Sequence, residues 1–294
     1  MKNSSVLFLL VISNLCFGIL PILVKLANQA GYSAVEETFF RFVVGLLGVI
    51  FLGLLGWRSL KVVNRTWVFW RGFLGALSVI GYFVALQTTS SGVGTLLNYT
   101  YILWANVFAI LFFRQKPPQG FLLCLALAVV GVDLVLDARL DHLGLGEMAG
   151  IFSGITGGAA ILAIKRCRET DTVLTIFGSF SIFSLIFSSV MLFWGRWFGI
   201  FTGGLNAWIT PDGKSWWLLI LMGLVAMAAQ VLFTEAFGKT SLALGSFLTL
   251  SVPVLAALFG WLFLAEPLTP HFGWGMFLVL TACGIMVWQE NRLQ

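Results

Sequence analysis

The chain has 294 residues, of which 59% are hydrophobic and only 10% are charged, and its mean hydropathy is +0.98. Soluble domains carry about 25% charged residues, and a water-soluble fold could not bury this much apolar surface. The composition therefore excludes a soluble protein. It predicts an all-α integral membrane protein, because the long apolar runs lack the alternation typical of barrel strands.

The first apolar run follows Lys2 and continues to about Ala27. Its beginning resembles a signal peptide, but the run extends past any small-residue cleavage site, and the residues before Cys16 make a poor lipoprotein motif. We therefore expect helix one to be retained.

Ten transmembrane helices are predicted, because a spanning helix needs about 20 apolar residues. Their ranges are 6–27, 39–56, 67–88, 93–113, 119–136, 145–166, 173–193, 216–237, 242–264 and 272–288. The longest connection, 195–215, is interpreted as an external loop. The four cysteines have no close spacing, so neither a disulfide nor a metal site is expected.

Basic residues predict the orientation. With the amino terminus inside, twelve fall on the cytoplasmic side: Lys2, Arg58, Lys61, Arg65, Arg71, Arg114, Lys116, Lys165, Arg166, Arg168, Lys239 and Arg292. The opposite side receives Arg139, Arg196 and Lys214. The positive-inside rule then predicts that both termini are cytoplasmic, and the net charge of +5 needs no nucleic-acid partner.

The chain resembles itself at an offset of about 140 to 150 residues. The segment ISNLCFGILPILVK aligns with FSGITGGAAILAIK, which matches Lys25 with Lys165. The stretch ALQTTSSGVG aligns with AFGKTSLALG, which matches Thr89 with Thr240. Each half, 1–140 and 141–294, contains five predicted helices. Because five is odd, the second half must enter the membrane from the opposite side, so the halves are predicted to be inverted repeats, which favour transport by alternating access.

The segment AFGKTSLALGSFLTLSVPVLAALFGWLFLAEPLTPHFGWGMFLVLTACGIMV resembles the second repeat of the drug/metabolite transporter superfamily, EamA type. The segments FGILPILVKLA and FFRFVVG resemble the opening of its first repeat. The most specific part runs from Pro253 to Pro267, and the first half departs from it, with Ile102 in place of the proline and Arg114 and Lys116 near Pro117.

This resemblance implies a multi-pass carrier of the bacterial cytoplasmic (inner) membrane that exports amino acids or related metabolites. Among the members of this superfamily, the chain resembles the aromatic amino-acid exporters of the YddG type. The implied partners are a small-molecule substrate and membrane lipid, with no cofactor and with a monomer as the working expectation.

Polar residues inside the predicted helices are candidates for substrate binding, because such groups are costly in lipid and usually face the interior. The candidates are Asn14, Ser78, Tyr82, Asn98, Tyr99, Gln230 and Thr249. Such a lining suits neutral or zwitterionic solutes with apolar side chains. Clustered arginines, which strongly anionic substrates would need, are not expected. Bonding between neighbouring helices is the competing explanation for each residue.

Four further residues are candidate gate or hinge positions: Pro21, Lys25, Arg41 and Pro253. Lys25 and Arg41 lie near Glu36 and Glu37 in sequence, which suggests an ion pair or external gate. Snorkelling of Lys25 and a structural pairing of Arg41 with a glutamate are equally acceptable interpretations.

Two other functions are considered. The first is a multidrug or other-metabolite exporter; a multidrug antiporter for cations would usually have a glutamate at the midplane, and Glu235 is too near its helix end. The sequence EETFFR matches a pattern of CAAX-type intramembrane proteases, but those enzymes need histidines within helices, and His142 and His271 are both outside them.

Since proton relays use intramembrane acids and only edge residues such as Asp133 qualify, a facilitator or exchanger is favoured over a proton-coupled exporter.

Overall fold

The computed structural model describes residues 2–114, 120–136, 144–198, 210–240, 245, 248–268 and 270–293. These residues form eleven helices and no strand. The helices are α1 (Lys2–Gln29), α2 (Ala34–Leu54), α3 (Arg65–Thr88), α4 (Ser91–Tyr99), α5 (Tyr101–Phe113), α6 (Phe121–Leu136), α7 (Leu145–Cys167), α8 (Val173–Phe198), α9 (Gly213–Phe237), α10 (Ser251–Leu264) and α11 (Phe272–Leu293).

The all-α membrane architecture predicted from composition is confirmed. Seven helical spans are long and apolar enough to cross a membrane, with α4 and α5 together making one of them, and three shorter apolar helices have 10–17 residues. The helix predicted at 242–264 is described as α10 from Ser251, and residues 241–244 and 246–247 lie outside the described residues.

Side-chain caps explain where several helices begin. Ser33 and Glu36 form a capping box at the start of α2, and Asn64 accepts a hydrogen bond from the backbone of Trp67 at the start of α3. Asp212 accepts a hydrogen bond from the backbone N–H of Ser215 at the start of α9, over 2.8 Å. These caps satisfy donors that the first turn of a helix leaves unpaired.

The predicted helix at 93–113 is broken at Thr100, which separates α4 from α5. The carbonyl oxygen of Thr100 accepts hydrogen bonds from the N–H groups of both Leu103 and Trp104, so one tight turn joins the two helices. In the second half, Leu250 precedes α10 with nearly the same backbone angles as Thr100, φ −63° and ψ −15° against −58° and −12°. The repeat alignment places these two breaks one residue apart.

The ends of these helices also match. Arg114 closes α5 and Ala265 closes α10, each in the left-handed region, with φ of 50° and 53°. Their N–H groups bond to the carbonyl oxygens of Ala109 and Gly260, which the repeat alignment places at the same position.

Helices from one half of the chain pack largely on helices from the other half. Helix α1 packs against α9 and α10, and α7 packs against α3, α4 and α5, while α6 and α11 form a peripheral pair. Close approach depends on small residues. A Cβ added to Gly18 would lie 2.8 Å from Leu255, and one added to Gly150 would lie 2.7 Å from Leu97. This packing leaves a cavity between the halves.

Candidate functional site

A cavity of about 100 Å³ lies between the helices of the bundle. Residues from α1, α2, α3, α7, α8 and α9 line it, together with the α4–α5 break. The lining is mainly aromatic and aliphatic, with a few amide, hydroxyl and guanidinium groups. It comprises Phe17, Leu20, Arg41, Arg71, Gly75, Ser78, Val79, Tyr82, Asn98, Tyr99, Tyr101, Gly157, Ala160, Ile161, Ile164, Phe180, Gln230 and Phe233.

The cavity brings together most of the residues predicted to bind substrate. Ser78, Tyr82, Asn98, Tyr99 and Gln230 all line it. They come from α3, α4 and α9, so both halves of the chain contribute.

Asn14 was predicted to face the substrate but lies outside the cavity lining. Its amide nitrogen donates to the carbonyl oxygen of Leu248 and to Ser251 Oγ, each over 3.0 Å. Because Gly18 on the same face allows α10 to pack closely, this face of α1 is an interhelical contact. Phe17 and Leu20 line the cavity instead.

Thr249 was also predicted to bind substrate, but it lies behind the lining. Its Oγ1 is 3.0 Å from the hydroxyl of Tyr101, and it is fully buried. Tyr101 itself lines the cavity and was missed, because a continuous helix would have placed Ile102 on that face. In the sequence, the alignment of Ile102 with Pro253 indicated that the helix is interrupted near these positions.

Ser153 joins three helices at the cavity wall. Its Oγ donates to the carbonyl oxygen of Ser78 on α3 over 2.6 Å and accepts from the Asn98 amide nitrogen on α4 over 2.5 Å. Ser13, its partner in the repeat alignment, donates to the carbonyl oxygen of Ala229 over 2.9 Å. Positions 78 and 229 have the same separation in sequence as Thr89 and Thr240. The same hydrogen bond from a serine to a backbone carbonyl oxygen therefore occurs in both halves.

Tyrosine hydroxyls are held by threonines. The Tyr82 hydroxyl lies 3.0 Å from Thr95 Oγ1, and the rings of Tyr99 and Tyr101 are 5.0 Å apart between centroids. Since buried hydroxyls need partners, these contacts fix the aromatic wall of the cavity.

Lys25 and Lys165 each bond to the end of another helix. The Lys25 ammonium donates to the carbonyl oxygen of Thr89, where α3 ends, and the Lys165 ammonium donates to the carbonyl oxygen of Thr240, just after α9. Carbonyl groups at a helix end lack intrahelical partners and attract cations. Lys165, which was expected in the cytoplasmic anchor cluster, serves the same capping role as Lys25.

Arg41 does not form the ion pair that was considered for it. Its guanidinium lies 5.0 Å from the ring centroid of Phe42 and 5.3 Å from that of Phe83, and it makes no salt bridge within the described residues. Glu36 accepts hydrogen bonds from the N–H and Oγ of Ser33, so it serves as a helix cap. The glutamate of the EETFFR sequence that comes first, Glu36, therefore has a structural role as a helix cap.

The position of Arg71 differs from the prediction, which counted this residue among the cytoplasmic charges and expected no clustered arginines. It is 3% exposed, lines the cavity, and lies 4.1 Å from the ring centroid of Phe180. Helix α3 begins at Arg65, and a rise of about 1.5 Å per residue places Arg71 well inside the helix. The cavity thus contains two arginines.

The two prolines differ in position. Pro21 lies inside α1 and has no N–H, so the carbonyl oxygen of Phe17 loses its helical donor beside the cavity. Pro253 lies in the first turn of α10, where a missing N–H is tolerated. Their role as hinges stays a prediction.

Comparison with known proteins identifies relatives. The model of the EamA-like transporter family matches residues 4–136 and 144–288. The pseudopaline exporter CntI of Pseudomonas aeruginosa is 24% identical over 278 residues, which cover 94% of this chain and 93% of that protein. An uncharacterized transporter of Helicobacter pylori is 26% identical over 165 residues, 55% of each chain.

A mammalian protein is also similar. Solute carrier family 35 member G1 of Mus musculus is 27% identical over 250 residues, which cover 78% of this chain and 64% of that protein. One crystal structure has the same fold, with a TM-score of 0.75, 17% identity and 99% coverage of both chains.

Proposed function

The chain belongs to the EamA-like transporter family, and from this premise we propose that it exports amino acids or related small metabolites by alternating access. The family consists of transporters, so the chain is not an enzyme. The observation that carries the proposal is the central cavity, which both halves of the chain line with aromatic, amide and hydroxyl groups.

The matching contacts of the two halves support alternating access. The halves 1–140 and 141–294 are proposed to be inverted repeats, each with one broken helix and one lysine that caps a neighbouring helix. Two similar halves around one cavity can exchange conformations, which would open the cavity first to one side and then to the other. In this proposal the chain has ten spans, and both termini lie in the cytoplasm.

Aromatic and other neutral amino acids are the first substrates to test. The apolar body of such a solute would pack against Phe17, Phe180 and Phe233, while Asn98 and Gln230 would bond its polar groups. The pseudopaline exporter among the relatives supports a second candidate class, other small metabolites. The proposed location is the bacterial inner membrane, and the proposed state is a monomer.

Coupling to a proton gradient through Glu235 or Asp133 has no support. Glu235 pairs with Arg168 over 3.1 Å and with Lys239 over 2.7 Å, and Asp133 is exposed. Neither acid lines the cavity. We therefore retain a facilitator or exchanger as the proposed mode.

The proposal is tested by counterflow uptake of radiolabelled phenylalanine, tryptophan and threonine into proteoliposomes that contain the purified protein. Uptake above that of protein-free vesicles is expected for at least one of them. Tyr99→Ala, Tyr82→Ala and Gln230→Ala should each reduce it, because they remove cavity-lining groups. The control is Phe112→Ala, whose side chain is 72% exposed on the outer surface and should matter little.

No uptake of any amino acid would refute the amino-acid proposal. Nucleosides, thiols and lipophilic drugs would then be tested in the same vesicles. Normal uptake by all three cavity variants would remove the cavity as the substrate site.

A further inference from the structure

Two arginines line the central cavity. Arg41 on α2 is 4% exposed and Arg71 on α3 is 3% exposed, and both line the cavity. Neither forms a salt bridge within the part of the chain that the structure describes, and the cavity lining contains no carboxylate. A buried cation is normally paired, so this arrangement needs an explanation.

The acidic residue nearest to Arg41 in sequence, Glu37, forms no salt bridge with it among the described residues. Glu37 precedes Arg41 by one helical turn, and within the same part of the chain neither of its carboxylate oxygens has a hydrogen-bond partner. Its electrostatic neighbours are Glu36 and Lys25. Glu37 therefore does not balance the positive charge of Arg41.

Both guanidinium groups lie against aromatic rings. Arg71 lies over the ring of Phe180, and its buried Nε has no hydrogen-bond partner among the described residues. Arg41 lies over the rings of Phe42 and Phe83. A ring contact occupies the face of a guanidinium, whereas carboxylates bind at its edge through two parallel hydrogen bonds.

Gly75 makes room for Arg71. It lies one turn after Arg71 on α3, and a Cβ added there would collide with the Arg71 Nη1 atom and lie 2.9 Å from the Phe180 ring. The glycine therefore permits the position of Arg71 against the ring and beside the cavity.

We propose that Arg41 and Arg71 form a carboxylate-binding subsite, and that the substrate is a small organic carboxylate with an apolar or aromatic body. This inference rests on the proposed transport function and specifies its substrate class. The aromatic rings of the lining accommodate the body, and the two cations balance the charge. An ammonium group on the substrate is not required, because the cavity lining offers it no acidic partner.

A carboxylate is favoured over a phosphate because the rest of the lining is largely apolar. A single guanidinium edge can bind one planar carboxylate through two parallel hydrogen bonds. A phosphate would bring a third oxygen and additional charge, which typically require several further N–H donors.

The test uses probes with similar aromatic bodies, which compete with labelled phenylalanine in counterflow. They are 3-phenylpropionate, 3-phenylpropionamide and phenyl phosphate. The carboxylate should compete at concentrations at least about tenfold lower than the amide, which lacks the anionic group, and lower than the phosphate. Equal competition by the amide, or stronger competition by the phosphate, would overturn the carboxylate subsite.

Variants of the arginines test the assignment of residues. Arg41→Gln and Arg71→Gln should each raise the concentration of 3-phenylpropionate needed for half competition by about ten- to a hundredfold, since each removes charged hydrogen bonds. They should change the value for 3-phenylpropionamide much less. Arg58→Gln is the control, because Arg58 is exposed and lies over Trp57 outside the cavity. Unchanged selectivity in both cavity variants would overturn the proposal.

A binding measurement separates this inference from the transport proposal. Added 3-phenylpropionate should raise the apparent melting temperature of the purified wild-type protein, and 3-phenylpropionamide should not. Gly75→Ala, which keeps both charges but displaces Arg71, should weaken this effect. If wild type transported nothing but bound the carboxylate selectively, the transport proposal would fail while the subsite stood. If wild type showed no selectivity for the carboxylate, the subsite would fail whatever the transport result.

Discussion

Replacing Ser153 with alanine removes a hydrogen-bonding centre that joins three helices. Ser153 Oγ makes two short hydrogen bonds, to Ser78 on α3 and Asn98 on α4, and a longer contact of 3.3 Å with Ser78 Oγ. Interhelical hydrogen bonds in membrane proteins contribute about 0.6 kcal/mol each on average. We therefore expect Ser153→Ala to lower the free energy of unfolding by about 1 to 2 kcal/mol.

The matched control is Ser13→Ala, because the repeat alignment pairs Ser13 with Ser153 and both are fully buried. Ser13 makes a single hydrogen bond, to the carbonyl oxygen of Ala229, so its loss should cost about 0.6 kcal/mol. The assay is the apparent melting temperature of each purified variant in the same detergent. The decrease for Ser153→Ala should be about twice that for Ser13→Ala. An equal or smaller decrease would refute the role of Ser153 as a centre that joins three helices.

Three further predictions concern the mechanism. Tyr101→Phe removes the hydroxyl that contacts Thr249, so counterflow should slow while the protein still elutes as a folded species in size-exclusion chromatography; unchanged counterflow would contradict this role. Pro21→Ala and Pro253→Ala should change the balance of inward-open and outward-open states, measured by cysteine accessibility, and no change would leave both prolines merely structural. Glu235→Gln breaks two ion pairs but no proton pathway, so transport without a pH gradient should persist; a collapse of transport both in this variant and in wild type without the gradient would contradict uncoupled transport.

Much of the helical architecture follows from the sequence, because long apolar runs can satisfy their backbone hydrogen bonds in lipid only as helices. The break at Thr100 was not predicted. Residues 93–113 contain no proline or other interruption that ends a helix, and the tight turn depends on hydrogen bonds to the Thr100 carbonyl oxygen. The corresponding proline, Pro253, occurs in the second half of the chain. The break at Thr100 could therefore be anticipated only from the alignment of the two halves.

The cavity was predicted in part. Tyr82, Tyr99 and Gln230 are polar residues inside apolar helices, which makes an inward orientation the natural inference. Asn14 satisfied the same criterion, but its amide bonds to the second half of the chain. Composition cannot distinguish these cases, because the rotation of a helix depends on close contacts such as that between Gly18 and Leu255.

Arg71 was misplaced for a related reason. An arginine near the start of a helix usually reaches the headgroup region, and the positive-inside rule counts it there. Its actual position depends on Phe180 from α8 and on the space that Gly75 leaves. Both are tertiary contacts, and they change the expected charge of the cavity from neutral to positive.

Accessibility of the cavity from each side of the membrane tests the central claim most directly. Ala160 lines the cavity and is 4% exposed, so Ala160→Cys in a chain without its native cysteines places a small reactive group there. Membrane-impermeant maleimide should label this cysteine in right-side-out vesicles and also in inside-out vesicles, because alternating access opens the same cavity to both sides in turn. Labelling from one side only, in a variant that still transports, would contradict the account.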